Sequence, residues 1–234
     1  MSRLPTPQYA AISAKEMGQA VSFFPVVGAV IGLILMLSGW GLSQLPLPTE
    51  ITAALVLAIW AWVTGGLHLD GLADTADGWL GGVGDHQRAL TIMKDSRIGT
   101  GGGVALVIFL LLKWLAIKAL LLHQAWLWLL FAPIIGRIAA ITLMPTTRYV
   151  SQAGLAEEMS QHLNRWHIAL WTLLALSFLL YLDWKLAAGL GILWIWGRWL
   201  MIRITGGMTG DTAGMMTELM ELGFMLGLIC FIIS

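Results

Sequence analysis

GVALVIFLLLKWLAIKALLL, residues Gly103–Leu122, runs for twenty residues with two lysines as its only charges. A helix needs about 20 mostly apolar residues to cross a bilayer, because only a closed hydrogen-bonding ladder of that length satisfies its backbone in hydrocarbon. Six further stretches qualify or come close: Val21–Leu42, Ile51–Gly66, Ala125–Met144, Ile168–Leu182, Lys185–Ile204 and Leu219–Ile233. The pattern predicts an all-α, polytopic membrane helix bundle of about seven transmembrane helices, with residues 1–234 forming a single integral membrane domain in the lipid bilayer.

Composition points the same way. Of 234 residues, 58% are hydrophobic and 11% charged, with mean hydropathy +0.81, where soluble domains carry roughly 25% charged residues. A disordered chain is excluded. Thirteen Lys and Arg against thirteen Asp and Glu leave no global field to select a polyanion, so no nucleic-acid partner is expected. The one cysteine, Cys230, rules out an internal disulfide framework and a Cys-based zinc site. Met1–Gln19 is polar and the apolar run after it is too long for a signal-peptide core, so the first span is expected to belong to the mature protein.

Short loops on the cytoplasmic side collect Lys and Arg. Threading the spans with the N-terminus in the cytoplasm gives that side Arg3, Lys15, Arg88, Lys94, Arg97, Arg148, Arg165 and Arg203. The other side receives Lys118 and Lys185, while Lys113, Arg137 and Arg198 fall within spans. The N-terminus is therefore expected inside and the C-terminus outside. Three connections then face the cytoplasm, residues 67–102, 145–167 and 205–217, and they hold most of the acids: Asp70, Asp74, Asp77, Asp85, Asp95, Glu157, Glu158 and Asp211. The outer turns are short and chemically poor. An enzyme acting on soluble cytoplasmic substrates has this asymmetry; a transporter more often puts ionisable groups at the bilayer midplane.

The richest segment is Gly65–Gly78, GGLHLDGLADTADG. Asp70, Asp74 and Asp77 sit at i, i+4 and i+7, within about 60° of arc on a helix. Three like charges on one stripe repel one another. A hard divalent cation relieves that repulsion, since Mg²⁺ takes carboxylate oxygens while keeping waters and substrate phosphates in its shell. The bland alternative is a solvated first turn whose acids complement the helix dipole. His68 can ligate a metal, donate to a phosphate, or be structural.

Met93–Gly103, MKDSRIGTGGG, follows. Lys94 and Arg97 can neutralise phosphate oxygens, and glycines such as Gly99 let backbone amides approach them ahead of a helix N-terminus. Alone, the segment reads equally well as a basic, flexible loop. With the aspartate stripe it suggests metal-assisted chemistry on a phosphoanhydride. In the third segment, Thr205–Gly214, Asp211 stands seven before Glu218, so the two share a face if the helix begins at Asp211; Thr209 or Asp211 can also cap it. Glu218 and Glu221 enter an apolar run, where unpaired acids are costly, which marks them as ligand-facing groups. Trp126, Trp128, Trp184 and Trp199 near span ends suit an aromatic belt.

At these segments the chain closely resembles the cobalamin synthase family, the adenosylcobinamide-GDP ribazoletransferases. The residues that carry the likeness are His68-Leu-Asp70-Gly-Leu-Ala-Asp74-Thr-Ala-Asp77-Gly78, Met93-Lys-Asp95-Ser-Arg97-Ile-Gly99-Thr and Gly206-Gly-Met-Thr-Gly-Asp211-Thr, with weaker echoes at Phe24-Pro25-Val-Val-Gly28, Arg137 and Arg148-Tyr149. The likeness covers the chain from about Phe24 to the last span.

The resemblance implies the last assembly step of coenzyme B12 in the bacterial cytoplasmic (inner) membrane, with the active site facing the cytoplasm. Adenosylcobinamide-GDP is joined to α-ribazole or α-ribazole 5′-phosphate, GMP leaves, and adenosylcobalamin or its 5′-phosphate forms. It implies Mg²⁺ held by Asp70, Asp74 and Asp77, with substrate bound by His68, Lys94, Arg97, Gly99, Arg137, Arg148, Glu218 and Glu221. Asp95 is the expected general base for the attacking ribose hydroxyl, with Asp211 as the alternative. A homo-oligomer is left open. Two other readings compete. The CDP-alcohol phosphotransferases share a membrane acidic motif, and Asp74-x2-Asp77-Gly78 begins it, but Gly81-Gly82 replaces the required Ala-Arg and Ala89 the expected last Asp. A small-solute transporter would move solute without turning over an activated nucleotide.

Overall fold

A computed structural model describes residues 13–150 and 162–233 as helices joined by short turns. In chain order the α-helices are α1 (Ala14–Ala20), α2 (Phe24–Leu42), α3 (Thr49–Thr64), α4 (Leu67–Gly81), α5 (His86–Met93), α6 (Thr100–Leu122), α7 (Phe131–Leu143), α8 (Arg165–Leu182), α9 (Trp184–Thr205) and α10 (Gly210–Leu228). Among the described residues there is no strand, only one parallel bridge between Tyr149 and Met208.

Six helical stretches are long and apolar enough to span a bilayer: Lys15–Leu42, Thr100–Leu122, Trp126–Leu143, Arg165–Leu182, Trp184–Thr205 and Gly210–Phe231. A bent pair, Thr49–Thr64 followed by Leu67–Gly81 across an 88° break, is apolar enough only when its two helices are taken together, as a broken span or a re-entrant turn, which makes the count six or seven. The bend sits on Gly65 and Gly66, both left-handed at φ 68° and 71°, a pair that only glycine adopts cheaply. Outward faces confirm a lipid solvent: Val104, Val107, Ile108, Leu111 and Leu115 of α6 are all about half exposed, an apolar patch that water-soluble monomers seldom show.

Inside, α2 lies against α7 so closely that a Cβ at Gly28 or Gly32 would strike the Pro133 or Leu130 carbonyl. α10 is the axle, with Met215, Met216, Phe224 and Met225 buried and packed along both α4 and α7. At the end away from the motifs, Lys118 pairs with Glu50 at 2.8 Å.

Two expectations need correction. The last span begins at Gly210, not Leu219, so the connection at 205–217 contracts to Gly206–Thr209. Thr209 starts the helix: its hydroxyl accepts from the Thr212 amide at 3.1 Å, and the Thr212 hydroxyl accepts from the Thr209 amide at 2.8 Å. The connection at 67–102 likewise contains α4 and α5. Trp184 and Trp199 are exposed at span ends, whereas Trp126 and Trp128 pack against the core. Glu157 and Glu158 lie outside the described residues.

Candidate active site

The stripe forms as its spacing predicts. α4 carries Asp70, exposed, and Asp74 and Asp77, half-buried, while Thr75 faces inward and donates to the Gly71 carbonyl at 2.6 Å. Gly71 lies against the first turn of α10: a Cβ there would stand 2.6 Å from the Asp211 carbonyl oxygen. Backbone meets backbone at that point, which brings Asp211 to the stripe. Asp74 lies in the field of Asp70, Asp211 and Asp77. The N-cap residue of α10 is Thr209, and Asp211 stands in its first turn.

Asp77 is engaged differently. Its Oδ2 accepts from the Gly99 amide at 2.7 Å and its Oδ1 from the Gly102 amide at 2.8 Å. A side chain from α4 thus caps the start of α6, where the first-turn amides otherwise lack partners. The glycines follow from that contact, since a Cβ at Gly99 or Gly102 would fall 2.4 or 2.5 Å from an Asp77 carboxylate oxygen. The amides expected to cradle phosphate therefore hold Asp77, and the third member of the expected metal triad is a cap.

Beside it opens a cleft of about 700 Å³ lined by the polar side chains of Asp77, Thr91, Asp95, Arg97 and Thr100 and by the backbone at Gly99. Asp95 and Arg97 clamp each other: Arg97 NH2 donates to Asp95 Oδ2 at 2.7 Å, and its Nε and its backbone amide donate to Oδ1 at 3.1 Å each. These donors hold the Asp95 carboxyl at about 2, well below the usual aspartate value. Lys94 is exposed at the end of α5. Across the mouth, residues 148–150 zip onto the turn before α10, with the Met208 amide donating to the Arg148 carbonyl at 2.8 Å and the Val150 amide to the Met208 carbonyl at 3.0 Å. Gly207 permits this, because a Cβ would lie 2.4 Å from the Arg148 carbonyl oxygen. The Arg148 side chain stays exposed.

Arg137, Glu218, Glu221 and His68 sit elsewhere. All four are buried, deeper in the bundle, where Arg137 pairs with Glu221 and approaches His68 Nδ1 at 3.4 Å. Glu218 and Glu221 both accept from Lys113, at 2.6 and 2.7 Å. The structure thus answers the cost of those glutamates with cations, not with an open ligand face. Sequence reasoning placed Lys113 within a span but gave it no role; its signal was a cation in the middle of a twenty-residue run whose one other charge, Lys118, lies nearer its end.

One mouth therefore gathers Asp70, Asp74, Asp77 and Asp211, with Asp95, Arg97 and Gly99 lining the adjoining cleft. Among the described residues no three acidic, His or Cys side chains are close enough to form a ready-made metal cage. None of Asp70, Asp74 and Asp211 forms an ion pair with a described residue. Hard oxygen donors left unpaired in this way suit a cation whose remaining ligands are waters and substrate phosphates, as Mg²⁺ prefers.

No solved structure matches the chain. Curated relatives do. A Pseudomonas syringae pv. syringae protein named adenosylcobinamide-GDP ribazoletransferase is 46% identical over 222 residues, covering 92% of this chain and 90% of the relative. Proteins of the same name from Pseudomonas entomophila and Pseudomonas fluorescens are 44% and 43% identical, covering 96% and 97% of this chain and 90% and 92% of their own lengths. The model of the family CobS, described as cobalamin-5-phosphate synthase, matches residues 1–229. With nearly its whole length matched, the chain belongs to the CobS family of membrane-embedded transferases.

Proposed function

We propose that this chain joins adenosylcobinamide-GDP to α-ribazole or α-ribazole 5′-phosphate, releasing GMP and completing adenosylcobalamin or its 5′-phosphate. The observation that carries the reading is the group of Asp70, Asp74 and Asp211 at the α4–α10 contact, unpaired by any described cation, in a chain whose relatives bear that enzyme's name. A ribose hydroxyl of the ribazole attacks the phosphorus bonded to cobinamide, and the phosphoanhydride bond to GMP breaks. Asp70 and Asp74 would hold Mg²⁺, which supplies charge neutralisation on the pyrophosphate when bound. Arg97 and Lys94 flank the cleft beside them and favour phosphate oxygens. Measuring GMP release from adenosylcobinamide-GDP and α-ribazole by purified protein, with Mg²⁺ and with a chelator, tests the proposal. Solute movement without GMP release would favour the transporter reading instead.

The proton of the attacking hydroxyl goes to Asp211. Asp95, with a pKa of about 2, stays ionised at any working pH and is a weak proton acceptor, since a general base works best with a pKa near the operating pH. Its two oxygens are also occupied by Arg97. Asp211→Asn is therefore expected to lower kcat about a hundredfold, within the range general-base removal produces. Asp95→Asn is expected to lower it less and to raise KM for adenosylcobinamide-GDP, by releasing Arg97 from its clamp. Steady-state kinetics of the two variants decide it; the reverse ranking returns the base role to Asp95.

The site faces the cytoplasm. Arg88, Lys94, Arg97, Arg148, Arg165 and Arg203 belong to connections and helix ends on the motif side, against Lys118 and Lys185 on the other, the bias that orients membrane proteins. Ser96 is exposed beside the cleft. Ser96→Cys, in a Cys230→Ser background, should resist an impermeant thiol reagent on intact cells and react after permeabilisation. Labelling of intact cells would invert the topology.

A further inference from the structure

Lys113, buried in the middle of α6, has no part in the transfer chemistry, yet among the described residues it is the one cation that makes two ion pairs. Its ammonium donates to Glu218 Oε2 at 2.6 Å and to Glu221 Oε2 at 2.7 Å, both on α10, and lies 3.9 Å from the centroid of the Trp60 ring on α3. Glu221 continues the network to Arg137 on α7, which reaches His68 on α4 at 3.4 Å. Two cations meet two carboxylates, so the set is neutral. It ties five helices together.

Stability does not account for it. Apolar residues of equal volume stabilise a buried site as well as an ion pair or better, and charges within a bilayer are costly. What charged bonds add is registry, since apolar faces tolerate sliding that a two-point ionic contact does not. Three of the five helices carry the site: α4 bears Asp70, Asp74 and Asp77, α6 begins at the amides Asp77 caps, and α10 begins beside Asp211. Lys113 lies eleven residues along α6 from Gly102, about 16 Å at helical rise. An axial shift of α6 against α10 at Lys113 is thus transmitted directly to that cap.

We propose that Lys113 is a positioning residue, whose bonds to Glu218 and Glu221 set the axial register of α6 against α10 and so hold the Asp77 cap and Asp211 in the arrangement the transfer needs. The proposal rests on the function argued above. Lys113→Met alone would strand Glu218, which has no other cation partner among the described residues, and would confuse positioning with folding. The paired change Lys113→Met with Glu218→Gln removes one charge of each sign and leaves Arg137 with Glu221.

Three measurements on the purified, full-length paired variant test it: the thermal unfolding midpoint, steady-state kinetics with adenosylcobinamide-GDP and α-ribazole, and hydrogen exchange of the peptide covering residues 97–103. The midpoint should stay near wild type. kcat should fall about a hundredfold with KM changed less than about threefold, as for a small misplacement of catalytic groups. The Gly99 and Gly102 amides should exchange at least about tenfold faster, having lost a fixed Asp77 acceptor. A folded paired variant with wild-type kcat and wild-type exchange overturns the proposal. If the paired variant does not fold, Glu218→Gln alone decides on the same readouts: about tenfold lower kcat with faster exchange at 97–103 supports it, and wild-type values overturn it. Absence of transfer by the wild-type protein would instead refute the proposed function, while the exchange measurement, which needs no substrate, would still judge Lys113.

Discussion

Asp70→Asn and Asp74→Asn should each lower kcat on the order of a thousandfold, about 4 kcal/mol of barrier, while leaving the fold as stable as wild type or slightly more so. The two halves of this expectation have one cause. Asp70, Asp74 and Asp211 crowd where α4 touches α10, and no described cation pairs with them. Their mutual repulsion opposes folding, so a neutral isostere relieves it. The same charges are what a divalent cation and a pyrophosphate require, so the isostere removes transition-state stabilisation. Loss of activity with unchanged or increased stability separates a functional carboxylate from a structural one. Asp77→Asn should instead lose stability together with activity. One carboxylate oxygen becomes an NH₂ facing a backbone N–H, which costs about 1–3 kcal/mol and loosens the start of α6. Turnover and unfolding midpoints, measured on all three variants across a Mg²⁺ series, separate these outcomes. Asp70 and Asp74 variants with near-normal turnover and unchanged Mg²⁺ dependence would return the stripe to an ordinary solvated helix turn.

Apolar length made the spans legible. Gly103–Leu122 had to cross because nothing else satisfies twenty such residues, and α6 occupies Thr100–Leu122. The start of the last span was illegible for a related reason. Glu218 and Glu221 depress local hydropathy, so a reading by hydropathy begins the helix only at Leu219, between them. Their cost is met by Lys113 and Arg137, which lie far away in sequence on other helices. The aspartate stripe was readable because period alone puts Asp70, Asp74 and Asp77 on one face. Period could not say that Asp77 would be taken up by Gly99 and Gly102, or that Asp211 would join the stripe through the glycine gap at Gly71. Both depend on how closely two helices approach. The signal was present in the glycines themselves: a Gly-rich helix start can mark a cap supplied by another element as readily as a phosphate seat.

Glu221→Gln should be the most destabilising of the polar substitutions in the bundle, costing about 3–5 kcal/mol, the range for removing one partner of a buried pair. Glu221 is the one carboxylate that serves both buried cations, accepting from Lys113 at 2.7 Å with Oε2 and pairing through Oε1 with Arg137. Without it, Glu218 can satisfy Lys113 alone. Arg137 is then left buried with the Pro133 carbonyl at 3.4 Å and the His68 ring as its remaining polar neighbours, a full charge with no counterion. Glu218→Gln should cost less, because Lys113 keeps Glu221. The decisive variant is Glu221→Gln with Arg137→Met. It restores charge balance by leaving Lys113 with Glu218, and a flexible thioether fills the vacated space. If uncompensated charge is the source of the loss, the double variant is more stable than Glu221→Gln alone, although it has one fewer polar contact. Equilibrium unfolding in mixed detergent reads all three. A double variant less stable than either single change would show that the hydrogen bonds themselves, not charge balance, hold α7 and α10 together.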